Sequence, residues 1–149
     1  MVKITSLKEH YLIVGFPSEE KVRLLVERLR EQESTSMTHL VVITDAVEEL
    51  PFDDGLVRFV RGSVTNPETY RRANVAAASN AIVLAHDHED PSSDAITAAA
   101  VSIIESLNPE IRTVAECIYE EHLALFRHVS CDQIVLAGDM LIKLLVQET

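Results

Sequence analysis

Basic residues are scarce in this sequence: 13 Lys and Arg stand against 24 Asp and Glu, a formal net charge of −11 at pH 7. So acidic a surface repels phosphate backbones, which argues against nucleic acid as a partner and favours cations or basic protein surfaces. Long apolar runs are also missing. None approaches the roughly 20 residues needed to cross a bilayer, and the opening MVKITSLKEH has neither the apolar core nor the cleavage signature of a secretory signal. There are only two cysteines, Cys117 and Cys131. They fall near the end of one expected strand and the start of the next, roughly 15 Å apart at about 3.3 Å per residue. A disulfide needs Cα atoms within about 7 Å, so free thiols in a cytoplasmic chain are expected. Finally, the catalytic signatures of a short-chain oxidoreductase are absent. Tyr11, Tyr70 and Tyr119 are followed four residues later by Gly15, Asn74 and Leu123, so no Tyr-x-x-x-Lys pair exists. No nucleophile elbow or P-loop occurs either, and the chain does not read as an enzyme.

What is present is a strong α/β rhythm in a chain of one-domain size. With 47% apolar and 25% charged residues it should be globular rather than disordered. The organising stretch is HYLIVGFPSEE, His10 to Glu20: an apolar run, Tyr11 to Val14, ends in Gly15, a turn follows, and a helical pattern opens. That is the first strand, turn and helix of a doubly wound sheet. The helix runs to about Gln32, with Ser18 as N-cap and Val22, Leu25, Val26 and Leu29 on one face. Strands follow at His39–Thr44 and Val57–Val60, separated by an acidic loop from Glu48 to Asp54. Asn66-Pro67-Glu68 reads as N-cap, N1 proline and acidic first turn of a short helix to about Ala73. Then come a strand at Ala81–Ala85, the polar loop HDHEDPSS, and a helix from about Ser93 that stops at Asn108-Pro109. A strand at Arg112–Ala115, a helix from about Tyr119 to His128 and a strand at Gln133–Leu136 complete the pattern. A last helical segment, Met140 to Val146, runs out at Thr149, as though more chain or a partner normally follows. The fold class expected is α/β, Rossmann-like and doubly wound: a six-stranded, mainly parallel sheet with helices on both faces, as one domain over 1–149.

Four segments, HYLIVGFPSEEKV, RFVRGSVTNPETYRRANV, SNAIVLAHDHEDPSSDA and IRTVAECIYEEHLALFRHVSCDQIV, follow one another in an order and spacing that resembles an RCK domain. This is the regulator-of-K⁺-conductance module, also called KTN, of potassium channels and K⁺ transport systems. The resemblance covers about Glu9 to the end. It implies a cytoplasmic Rossmann-type lobe that pairs with a second copy, assembles into a gating ring and transmits ligand binding to a pore or transporter subunit. Adenine nucleotide or a divalent cation such as Ca²⁺ are the ligands it brings into question. An assembly lobe that senses nothing is the alternative, and a nucleotide-binding Rossmann sensor (NAD, ADP or AMP) is another.

In open α/β sheets ligands lie beyond the carboxyl ends of the strands. The residues arriving there make the candidate nucleotide set Gly15, Phe16, Ser18, Asp45, Gly62 and Ser63. Asp45 stands where such folds place a carboxylate on ribose hydroxyls. The first turn departs from G-x-G-x-x-G, because its second and third glycines are replaced by Pro17 and Glu20. Proline removes a backbone donor, and the two glutamates add negative charge where a diphosphate would rest. RCK domains that bind nucleotides commonly carry an acidic residue after the glycine that follows strand three, and here that residue is Ser63. A candidate divalent site combines Asp87, Asp90 and Glu116. The related RCK calcium site has a carboxylate at the end of strand four and two after strand five. Here those positions hold Ala85, Glu116 and Ile118. The other reading of that loop is an acidic, solvated turn whose Asp90-Pro91-Ser92 caps the next helix. His122 and His128, spaced i, i+6, share no helix face and read as surface residues. The resemblance also assigns a dimer surface to the helix of small and branched residues and to the segment after strand five, with Ile96, Ala99, Ile103, Leu123 and Phe126 as its candidates. Packing against the sheet is the competing use of the same side chains.

Overall fold

The computed structural model describes residues 3–137 and Val146. Six strands, β1 (Tyr11–Val14), β2 (Leu40–Thr44), β3 (Val57–Arg61), β4 (Asn80–Val83), β5 (Arg112–Cys117) and β6 (Gln133–Leu136), form one sheet in the order β3-β2-β1-β4-β5-β6. Every neighbouring pair is parallel. The sheet is therefore wholly parallel. Chain order reverses at β1, and the crevice between β1 and β4 is the topological switch point.

Strands buried on both faces need apolar residues at every position, which is why YLIV and LVVIT are continuous runs. Their side chains alternate between two cores. Leu12, Val14, Val41, Ile43 and Val83 face one side with Tyr70, Val101 and Ile104. Tyr11, Ile13, Leu40, Val42 and Ile82 face the other with Val22, Leu25, Val26 and Leu29. The second set belongs to α1 (Glu19–Glu31), the first to α2 (Pro67–Arg72) and α3 (Ser93–Leu107). Val146 joins the α1 side, its carbonyl accepting from Gln32 Nε2 at 3.0 Å. The rest of the expected Met140–Val146 helix lies outside the described residues.

The caps are as read. Ser18 accepts from Lys21 N at 3.1 Å, and Asn66 accepts from Glu68 N at 3.0 Å ahead of Pro67. Three differences matter for the site. β5 runs two residues further than its apolar run, to Cys117, so Glu116 is in the strand and fully buried. The expected helix Tyr119–His128 is a 3₁₀ run, Glu120–Phe126. Its start is pinned to α3 by Asp94, and so short a piece adopts the tighter spacing. Between β2 and β3 there is no helix. Leu50 and Phe52 of that loop pack against the α1-side core, and Arg30 of α1 holds Asp54 at 2.6 Å. Both cysteines are free: Cys117 at the carboxyl end of β5, Cys131 near Thr113 close to its start.

Candidate functional site

At the switch point the ends of β1, β2 and β4 and the first turns of α3 enclose a cleft of about 340 Å³. Gly15, Phe16, Asp45 and Ser63 line it together with Val14, Val83, Leu84, Ile96, Thr97 and Ala100. Gly15 has φ +102°, and a Cβ there would sit 3.0 Å from the Leu84 carbonyl oxygen, so the turn needs glycine for its backbone and for its approach to β4. Ser18 and Gly62, the other two candidates, do not line the cleft. Ser18 is spent on the cap of α1. Gly62 packs so close to α2 that a Cβ would lie 2.5 Å from Thr69 Oγ1 and from the Arg72 guanidinium. Ser63 bonds Thr65 within its own turn. Asp45 is exposed and, among the described residues, makes no hydrogen bond or ion pair. Thr97 and Ala100 were missed in the sequence. The doubly wound order, which lays α3 across the β1–β4 crevice, is the signal that could have found them.

The candidate divalent site is not assembled. Among the described residues no three carboxylate, imidazole or thiolate groups converge on a point that could hold a metal. Asp87 accepts from Glu89 N at 2.9 Å, and Asp90 accepts from Ser92 N and Oγ, forming the turn before α3. These hydrogen bonds from Ser92, with His86 opposite, hold the Asp90 carboxyl below its usual range. Glu116 is drawn inward instead. Its Oε1 accepts from Ala85 N at 2.8 Å, while Oε2 lies 2.6 Å from Lys21 Nζ and 3.1 Å from His88 Nε2. Lys21, three residues inside α1, thus ties the first helix to the ends of β4 and β5. Nothing in the sequence pointed to it.

A second buried carboxylate, Asp94, lies at the start of α3. It accepts from Ile118 N at 2.8 Å, Tyr119 N at 3.0 Å and His122 Nδ1 at 2.8 Å. Burial is the largest single influence and opposes its charge, but these hydrogen bonds together outweigh it and hold the carboxyl below the ordinary range. Burial, and then the neighbouring Asp94, push the Cys117 thiol up to about 12, so it is not a reactive thiolate. His122, expected on the surface, is half-buried in this clamp; His128 is exposed. On the outer side of α3, Ala95, Ala99, Ser102 and Ser106 are exposed, with Ile96 and Ile103 half-buried beside them. Leu123 is half-buried as well. Phe126 is only 3% exposed and fills the core beneath α3, so it is not available to a partner; Leu125, at 42%, is the exposed apolar residue of that segment.

The sequence model of the TrkA-N domain family matches residues 11–137. The chain belongs to the TrkA-N family. This TrkA-N domain is 21% identical over 141 residues to the "Putative potassium channel protein YugO" of Bacillus subtilis (strain 168), covering 94% of the chain and 42% of that protein. It superposes on the TrkA-N domain of the inner membrane protein ybaL from Escherichia coli with a TM-score of 0.70 at 24% identity, over 96% of this chain and 98% of the other. The GsuK channel bound to NAD matches with a TM-score of 0.68 at 25% identity, over 87% of this chain and 22% of GsuK. The domain thus spans less than half the length of YugO and about a fifth of GsuK, and it is related to the regulatory domains of potassium channels. No helix among its described residues is long and apolar enough to cross a membrane.

Proposed function

We propose that this TrkA-N domain is a regulatory lobe of a potassium channel or K⁺ transport system, placed at the cytoplasmic face of the membrane. It pairs with a second copy within a larger ring and converts occupancy of its strand-end cleft into a change in conductance. The observation that carries this reading is the cleft itself, a preformed apolar cavity at the switch point with one unengaged carboxylate at its mouth. The titratable groups lining it are Asp45 and His86. Among the described residues no hydrogen bond joins either of them to a hydroxyl of the lining, which supports binding rather than catalysis. The small, exposed face of α3 supports close approach of a second copy. Ligand would act through unequal affinity for two ring states, because equal affinity shifts nothing.

Thermal unfolding of the 149-residue chain with nucleosides, nucleotides, Ca²⁺, Mg²⁺ and Zn²⁺ tests the ligand half. A binder at 100 times its Kd adds about 2.7 kcal/mol. Silence across the panel defeats ligand sensing by this lobe and leaves the assembly-lobe reading. Sedimentation tests the pairing half: a dimer is expected, abolished by Ala99→Glu, and a chain that stays monomeric at high concentration defeats it.

A further inference from the structure

The cleft has an unusual charge balance for a site at the start of a Rossmann helix. No Lys or Arg lines it. The bases nearby are all engaged elsewhere. Lys21 is held by buried Glu116, and Arg23 pairs with Glu19 and lies over the Phe52 ring. Arg61 reaches Glu48 and the Val47 carbonyl, and Arg72 donates to the Arg61 carbonyl at 2.9 Å. The turn that would cradle a phosphate offers Pro17, which has no N–H, followed by Glu19 and Glu20 at the helix start. A phosphate placed there meets carboxylates and no free cation.

The charge balance of the cleft favours a ligand that donates to a carboxylate over one that carries negative charge. Thr97 donates to the Ser93 carbonyl, Thr44 Oγ1 accepts from Ala46 N and keeps its own O–H, and Ser63 and Thr65 bond each other, which leaves one hydroxyl hydrogen between them. Of the two titratable side chains in the lining, His86 faces Asp90 at 3.2 Å, which leaves the Asp45 carboxylate, an acceptor only. It stands at the end of β2, the position from which a carboxylate reaches a vicinal diol. Behind it the walls are Val14, Val83, Leu84, Ile96 and Ala100, apolar surfaces suited to a planar ring. A volume of about 340 Å³ lies at the small end of ligand pockets, roughly 300–1,000 Å³, and suits one nucleoside rather than a dinucleotide.

We propose that this cleft takes an unphosphorylated nucleoside, its two ribose hydroxyls donating to Asp45 and its base lying between the apolar walls, and that it discriminates against the corresponding nucleotides. This rests on the cleft being the domain's ligand site and narrows what that site accepts.

Calorimetric titration of the 149-residue chain with adenosine, guanosine, 2′,3′-dideoxyadenosine, AMP, GMP, ADP and NAD provides the test. At least one of the two ribonucleosides should bind, with its nucleotide weaker by at least tenfold; where that nucleoside is adenosine, the dideoxy analogue should be weaker by a similar factor. Asp45→Asn should reproduce the loss without moving the melting temperature, because the residue is exposed and unpaired. Glu20→Lys, at an exposed position, should raise AMP and ADP affinity and leave the nucleosides unchanged. ADP or NAD binding as tightly as adenosine overturns phosphate discrimination while leaving the ligand-gated reading intact. An Asp45→Asn chain that still binds at full strength overturns the diol contact. No heat from any of the seven compounds overturns the proposal and the cleft as a nucleoside or nucleotide site together, with pairing still judged by sedimentation.

Discussion

The carboxyl edge of the sheet has two halves built on opposite plans. Beyond β1 and β2 the strand ends open onto an apolar cleft whose one carboxylate, Asp45, has no partner among the described residues. Beyond β4 and β5 the two buried carboxylates, Glu116 and Asp94, are both fully enclosed and each gathers three groups, Glu116 from α1 and the loop after β4, Asp94 from the stretch that follows β5. One half keeps its polar capacity available; the other has used it to fasten loops and helices together. Burial makes the difference consequential. An unpaired carboxylate is tolerable only where water reaches it, whereas an enclosed one must be paired or pay a large desolvation penalty. Rigidity therefore falls to the closed half, and the open half keeps the polar capacity on which the proposed ligand site depends.

Substitutions should separate the halves by size of effect. Lys21→Met removes the lysine cation from buried Glu116, leaving it Ala85 N and His88, and should cost about 3–5 kcal/mol in denaturant unfolding. The double variant Lys21→Met/Glu116→Gln, which keeps an acceptor for Ala85 N, should recover part of that loss. A Lys21→Met chain as stable as the parent would dissolve the contrast. Asp94→Ala removes the acceptor for Ile118 N, Tyr119 N and His122, at about 2–3 kcal/mol. It should also raise hydrogen exchange in the Glu120–Phe126 segment, and unchanged exchange there would show that the clamp holds nothing. Because the Asp94 carboxyl sits below its ordinary range, its contribution is complete above that range and is lost as pH falls through the folded-state value. The acid limb of a stability-against-pH curve should accordingly be shallower in Asp94→Asn than in the parent. Gly15→Ala, on the border between the halves, should cost about 1–3 kcal/mol from its positive φ. Smallest is Asp45→Asn, within about 0.5 kcal/mol of the parent. A loss larger than Gly15→Ala would mean that Asp45 is structural and the open half is not open.

The amino-terminal edge supplies a control outside both halves. His10 is buried, its Nε2 donating to the Ala73 carbonyl at 2.9 Å while Nδ1 has no partner among the described residues. Burial, opposed by that hydrogen bond and reinforced by His39, pushes the ring's pKa below 6.5. The unfolded chain then binds the proton more readily, so this contribution is present at neutral pH and fades as pH drops below about 6.5.

The strands were legible because a parallel strand covered on both faces must be apolar throughout, and YLIV and LVVIT say so plainly. The caps at Ser18 and Asn66 were legible because they act within three residues. Lys21 and Glu116 are 95 positions apart, and their pairing depends on β4 lying beside β1 and β5 beside β4. No local pattern encodes that distance. Glu116 looked like a strand-end ligand because the apolar run stops at Ala115, while the ladder with β6 continues through Cys117. Leu123 and Phe126 are three apart and both apolar, which fits a helical face. Only the packing beneath α3 decides that Phe126 turns inward. The cleft was half visible: Gly15, Phe16, Asp45 and Ser63 follow from strand ends, but Thr97 and Ala100 enter from a helix whose placement is tertiary.

The position of β1 in the middle of the sheet also governs how the molecule is made. Its Tyr11 pairs with Leu40 on one side and with Asn80 on the other. As the chain leaves the ribosome, β2 and β3 can zip onto one edge while the other edge of β1 waits for residues that have not yet been synthesised. Until β4 arrives, a four-residue apolar strand shows an uncovered row of amide and carbonyl groups, the kind of edge that recruits strands from neighbouring chains. Slow synthesis through α2 would lengthen that exposure. Aggregation during expression is thus expected to depend more on the translation rate between β3 and β4 than on the stability of the finished fold.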